Sequence, residues 1–132
     1  MNILLLSAYD ARSHQLWRVG LTESFTDCHW TTLELPARHY AWRARSNAMQ
    51  WYLKNHEVLE KPYDLLIATS MVDLASLRGL IPSLAATPTV LYFHENQFAY
   101  PQGSSQHSTI ELQLCSIYSA LAADAIVFNS DY

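Results

Sequence analysis

The sequence is poor in the residues that loosen a chain. Three glycines among 132 residues leave little flexible linker. Charged residues at 15% against 50% hydrophobic exclude a disordered tail, which needs the opposite balance. Long apolar runs are missing. Stretches such as Ile3 to Leu6 and Leu65 to Ala68 fall far short of the about 20 residues that a membrane-spanning helix requires. Met1-Asn2-Ile3-Leu4-Leu5-Leu6 has neither a basic stretch nor a small-residue cleavage site, so it reads as a strand, not a signal peptide. Cysteine is scarce. Cys28 and Cys115 are far apart and in no metal or redox spacing, so both are expected reduced and structural, as in the cytoplasm. No repeat and no low-complexity segment occurs.

Positive charge is scarce as well. Eight Lys+Arg face twelve Asp+Glu, a net charge of -4, which taken whole is not a nucleic-acid-binding composition. Its distribution is uneven. No carboxylate lies between Glu34 and Glu57, while that window holds Arg38, Arg43, Arg45 and Lys54 beside His39 and His56. The positive charge is local and the remainder of the chain is acidic.

The length suits one domain, able to bury roughly two-thirds of its unfolded surface. Strands and helices alternate. Asn2 to Ala8 is a continuous apolar run, as for a strand covered on both faces. Ser13 to Phe25 has helical spacing at Trp17, Leu21 and Phe25, with Ser13 as N-cap. His29 to Leu35 reads as a strand, Arg43 to Leu59 as a helix ended by Pro62, and Asp64 to Thr69 as a strand. Asp73 to Leu80 is a short helix closed by Pro82, and Pro88 to Phe93 is the fourth strand. Ser108 to Ala122 opens with the capping box Ser108-x-x-Glu111, and Ala125 to Asn129 is the fifth strand. The expectation is an α/β, Rossmann-like, doubly wound parallel sheet, with the first strand central.

Ligands of open α/β sheets bind beyond the carboxyl ends of the strands. The unusual polar residues fall there. After the first strand, Ser13 and His14 open a helix, a place for a phosphate. The alternative is a plain N-cap and a solvated histidine. No G-x-G-x-x-G precedes them, which argues against a nicotinamide dinucleotide. After the second strand, Arg38, Arg43 and Arg45 surround Tyr40 and Trp42. Arginine forks take phosphates and aromatic faces stack on bases, which suits RNA or a nucleotide. The alternative is a solvated helix start with Trp42 in the core. Ser70 and Asp73 follow the third strand. After the fourth come His94, Glu95, Asn96 and Gln97, four polar side chains in a row. Histidine serves as acid or base near neutral pH, and amides bind hydroxyls. A satisfied structural histidine is the plainer alternative. No second His or Cys stands at zinc spacing, so no metal is expected. Asn129 and Ser130 follow the fifth strand.

These stretches resemble the N-terminal domain of the tRNA-queuosine alpha-mannosyltransferases. The resemblance rests on Leu35-Pro36-Ala37-Arg38 running into Trp42-Arg43-Ala44-Arg45, and on Tyr92-Phe93-His94-Glu95-Asn96-Gln97 with Tyr100-Pro101. Ala123 to Ser130 fits as well, and Ser70 to Arg78 more loosely. It implies the N-terminal, acceptor-side half of a GT-B glycosyltransferase spanning residues 1-132, with the donor-nucleotide domain outside this chain. It implies retaining transfer of mannose from GDP-mannose to queuosine in tRNA, without metal. His94 and Glu95 are then the catalytic candidates. Arg38, Trp42, Arg43, Arg45, Asn96, Gln97, Asn129 and Ser130 are acceptor-binding candidates, and Ser13 and His14 belong to a donor-phosphate loop. In place of the family's glycines before Ser13-His14 stands Asp10-Ala11-Arg12, where Asp10 adds charge of the same sign as a diphosphate. Two rivals remain: a related glycosyltransferase with a small-molecule or saccharide acceptor, and a non-catalytic binding module. A cytoplasmic protein with no membrane partner, which self-associates when isolated, is expected.

Overall fold

A computed structural model describes residues 1–94 and 106–129, with side chains left out at 106–109. The order is β1 (Asn2–Asp10), α1 (Arg12–Ser24), β2 (His29–Pro36), α2 (Tyr40–Leu59), β3 (Leu65–Thr69), α3 (Leu74–Leu80), α4 (Pro82–Ala85), β4 (Thr89–Phe93), α5 (Gln106–Ala122) and β5 (Ala125–Phe128). The five strands form one parallel sheet in the order β2-β1-β3-β4-β5. The Rossmann-like α/β expectation holds. The first strand is not central: it is second from the edge, and β3 lies in the middle. The chain steps one way from β1 to β2, then crosses back to β3. The strand order therefore reverses between β1 and β3, the kind of switch point beyond which open α/β sheets bind ligands.

Strand alternation builds three layers. Leu4, Leu6, Ala8, Leu66, Ala68 and Leu91 join Trp51 of α2, Leu77 of α3 and Leu84 of α4 in the main core. Tyr92 lies between two residues of that face, so it turns to the other side, where Trp17 of α1 stacks on it at 4.3 Å. Asp10 caps this arrangement at the end of β1, and a bulge between Ser7 and Asp10 shifts its register to face Pro36.

Three helix starts differ from expectation. α1 begins at Arg12 with Ala11 as N-cap, so Ser13 is the second helical residue and makes no cap. α5 begins at Gln106, which places Ser108 inside the helix instead of at a capping box. α2 begins at Tyr40, because His39 takes the left-handed conformation (φ 55°) and turns the chain directly into the helix. Trp42, Arg43 and Arg45 are therefore helical, not loop, residues. Beyond Pro82 a further turn, α4, continues with the proline at its first position.

Two buried side chains clamp the loop after β3. The Asn47 amide of α2 donates to the carbonyl oxygens of Arg43, Ala44 and Met71, and its Oδ1 accepts from the Asp73 backbone N–H at 2.9 Å. Ser119 of α5 donates to the Val72 carbonyl and accepts from the Leu74 N–H. On the outer face of α5, Ile110, Leu114, Ile117, Tyr118 and Leu121 stand exposed, and β5 is an open sheet edge. No helix among the described residues is long and apolar enough to cross a membrane.

Asn47→Ala removes one partner from the Met71 carbonyl and one from the Asp73 N–H in a dry site. A loss of about 2–4 kcal/mol in unfolding free energy is expected in urea denaturation. A loss below about 0.5 kcal/mol contradicts the clamp.

Candidate functional site

The carboxyl edge is organised around the first turns of α1. Asp10, 4% exposed, accepts from Arg18 Nη2 at 2.8 Å and from Arg18 Nε at 3.3 Å. The hydrogen bond that Arg18 donates to Asp10, with Coulomb attraction to Asp10 and Glu34, raises the Arg18 pKa against the opposing effect of burial. Asp10 thus spends its charge on Arg18 rather than presenting it alone to a phosphate.

His14 is buried, at 4% exposed, and is not a solvated helix-start residue. Its ring stacks on His94 with centroids 4.0 Å apart and planes 11° from parallel. Trp17 and Tyr92 meet His94 edge-on at 4.9 and 4.8 Å. His94 thus sits in an aromatic box. Desolvation pushes its pKa from 6.5 down to about 4, a like charge on His14 pushes the same way, and Asp10 pulls weakly back. Its imidazole is neutral at pH 7. It can donate or accept a hydrogen bond there, but it offers no positive charge.

Unsatisfied polar atoms gather at this edge. Ser7 Oγ, Thr69 Oγ1, Ser70 Oγ, Arg43 Nε and His94 Nε2 are buried without a hydrogen-bond partner among the described residues. Such atoms are few in native proteins, and these come from β1, the end of β3, the end of β4 and the start of α2. Asp73, by contrast, is occupied as the α3 cap, accepting from the Ser76 N–H and hydroxyl.

The basic window divides. Trp42 is 63% exposed, which excludes the core alternative. Arg45, one turn along α2, is exposed and lies 3.7 Å from Glu111. Arg38 is exposed in the loop before α2. Arg43 turns inward at 9% exposure and donates to Gln50 Oε1 at 2.6 Å. Asn129 accepts from the Tyr92 hydroxyl at 3.2 Å. Ser13 is exposed beside His14. Glu95, Asn96, Gln97 and Ser130 lie outside the described residues. No group of three or more His, Cys, Asp or Glu that could hold a metal occurs among the described residues. Cys115 and Cys28 are free thiols, and burial pushes Cys115 up to about 11, where it is inert at neutral pH. Sequence reasoning missed the His14–His94 stack and the Asp10–Arg18 pair. Neither contact has a local signal in the sequence, since each joins separate parts of the fold.

A parallel five-stranded sheet flanked by helices, with its order reversing between β1 and β3, defines a Rossmann-like domain. Residues 2–132 match the family described as tRNA-queuosine alpha-mannosyltransferase N-terminal, and the chain belongs to that family. It is 34% identical over 134 residues to a protein named tRNA-queuosine alpha-mannosyltransferase from Drosophila melanogaster. The match covers 99% of this chain and 34% of that relative, so the chain spans about a third of the relative's length. No solved structure matches it significantly.

The His94 box makes a pH prediction. A histidine held at a folded pKa of about 4 against 6.5 unfolded contributes stability in full above pH 6.5. As pH falls toward 4 the unfolded chain takes the proton first, and that contribution is lost. The melting temperature of the native protein minus that of His94→Gln is expected to shrink between pH 6.5 and 4. A difference that grows on acidification overturns the assignment.

Proposed function

We propose that this chain is the acceptor-side half of a retaining GT-B glycosyltransferase that moves mannose from GDP-mannose to queuosine in tRNA, in the cytoplasm. The supporting observation is the exposed Trp42 flanked by Arg38 and Arg45 at the carboxyl edge. Trp42 and Arg45 are three residues apart on α2 and so share a helix face. Phosphate contacts from the arginines position an RNA, and an indole face stacks on a base. The tRNA relation of the family agrees with that chemistry.

In the proposed reaction an acceptor hydroxyl attacks the anomeric carbon on the face from which the diphosphate leaves. The carbon–oxygen bond to the diphosphate breaks, and the hydroxyl proton passes to the departing phosphate oxygen. The protein's part is positioning and charge stabilisation. Neutral His94 donates a hydrogen bond to the reacting sugar, while Glu95, Asn96 and Gln97 bind hydroxyls around it. Ser13 and the first turn of α1 face the diphosphate, whose charge is met by arginine and not by a metal. His14 positions His94 through the stack. The exposed row on α5 offers a surface for self-association of the chain taken alone. A small-molecule or saccharide acceptor is the rival that leaves Trp42 and Arg45 without a task.

Three variants in the full native polypeptide test this reading. Arg38→Ala with Arg45→Ala weakens tRNA binding and lowers the slope of log affinity against log salt by about one to two units. Trp42→Ala weakens binding with little change in that slope or in melting temperature. His94→Ala lowers kcat far more than tRNA affinity. Unchanged affinity and slope in the arginine pair contradicts the RNA contact. Residues 1-132 alone are expected not to turn over GDP-mannose, and sustained turnover overturns the division of labour.

A further inference from the structure

α1 divides the carboxyl edge in two. The side toward β4 carries the imidazole stack. The side toward β2 is an open pocket of about 710 Å³, whose lining includes Asp10, Arg12, Arg18 and Glu34. The proposed transfer sets the first turn of α1, where Arg12 lies, against the diphosphate and gives Asp10, Arg18 and Glu34 no task. Asp10 and Arg18 satisfy each other in their forked contact. Arg12 and Glu34 remain, both exposed, one on the first turn of α1 and one near the end of β2. Glu34, on β2, lies close enough to act electrostatically on Arg18, on α1 across the pocket. Beside the Asp10–Arg18 pair the pocket is therefore bipolar, with one carboxylate, Glu34, and one guanidinium, Arg12.

That pairing suits a specific chemistry. In doubly wound sheets an acidic side chain beyond the second strand accepts from ribose hydroxyls, while phosphate sits at the start of the first helix. Those sheets bring backbone to the phosphate through glycines. Here Asp10-Ala11-Arg12 replaces glycine, and a long guanidinium fork can reach a phosphate that the backbone does not approach. The bulge between Ser7 and Asp10 sets the end of β1 against Pro36, and Asp10 and Pro36 both line the pocket between α1 and β2.

We infer that this pocket binds the ribose and phosphate of a nucleotide, with Glu34 accepting from the vicinal hydroxyls and Arg12 pairing with the phosphate. The ligand is either a residue of an RNA chain or a free nucleotide. The inference does not depend on mannose transfer.

The test is calorimetric titration of the full native polypeptide with AMP, with 2′-deoxy-AMP and with an unmodified tRNA transcript. AMP is expected to bind more tightly than its deoxy counterpart. Glu34→Gln is expected to weaken AMP about tenfold and erase that preference, the size of one charge-assisted hydrogen bond. Glu34→Asp keeps the preference, and Arg12→Ala weakens both nucleotides alike. If the source is RNA, AMP binding is too weak to detect and Glu34→Gln and Arg12→Ala each weaken the transcript about tenfold at unchanged melting temperature. Glu34→Gln that leaves both AMP and the transcript unchanged overturns the inference, as does an equal loss for AMP and deoxy-AMP. Mannose transfer is assayed separately. Absent transfer with Glu34-dependent binding defeats only the transferase reading, and intact transfer with Glu34-independent binding defeats only the pocket.

Discussion

The forked contact between Asp10 and Arg18 is what the carboxyl edge depends on. A carboxylate buried alone at a strand end is costly, and a hydrogen-bonded cation removes most of that cost. Arg18 supplies it from two turns along α1, so the helix is tied to the end of β1 at a fixed distance and direction. With α1 held there, His14 and Trp17 reach His94 and Tyr92 on one side. Arg12 and Arg18 line the pocket on the other. One ion pair thus orders two neighbouring regions of opposite character, one aromatic and partly buried, one open and charged.

Much of the architecture was legible in the residues. Continuous apolar runs such as Asn2 to Ala8 can be buried on both faces only in a covered parallel sheet, and β1 and β4 lie where those runs are. Alternation of strands and helices then required crossovers, which fixed the class. Element starts were less legible. Ser13 is the better capping residue by type, yet the helix starts at Arg12 with Ala11 in the N-cap position and no side-chain cap bond. Tyr40 to Trp42 join α2 because His39 takes a left-handed conformation, which spacing of apolar residues does not reveal. The position of β1 in the sheet depends on contacts between strands distant in sequence.

The site was legible as a list of polar residues at strand ends, but not as a geometry. Arg43 and Arg45 are alike in sequence. The structure separates them because one faces Gln50 inside and the other faces Glu111 at the surface. Trp42 could be core or platform by type, and the helical phase of α2 makes it exposed. His94 was expected as an acid or base of ordinary strength. Burial against Trp17, Tyr92 and His14, the last far away in sequence, lowers its pKa to about 4 and keeps it neutral instead. Pairing of this kind is long-range packing and has no local signature.

The central claim is that the carboxyl edge of the sheet, from Trp42 on α2 to His94 after β4, faces the tRNA acceptor. Hydrogen–deuterium exchange of the full native polypeptide, with and without queuosine-containing tRNA, tests it directly. The account predicts added protection in the backbone around Trp42 to Arg45, at Ser70 to Asp73 and at the end of β4, with little change at the opposite, amino end of the sheet. Protection confined to α3, α4 or the amino ends of the strands would contradict it.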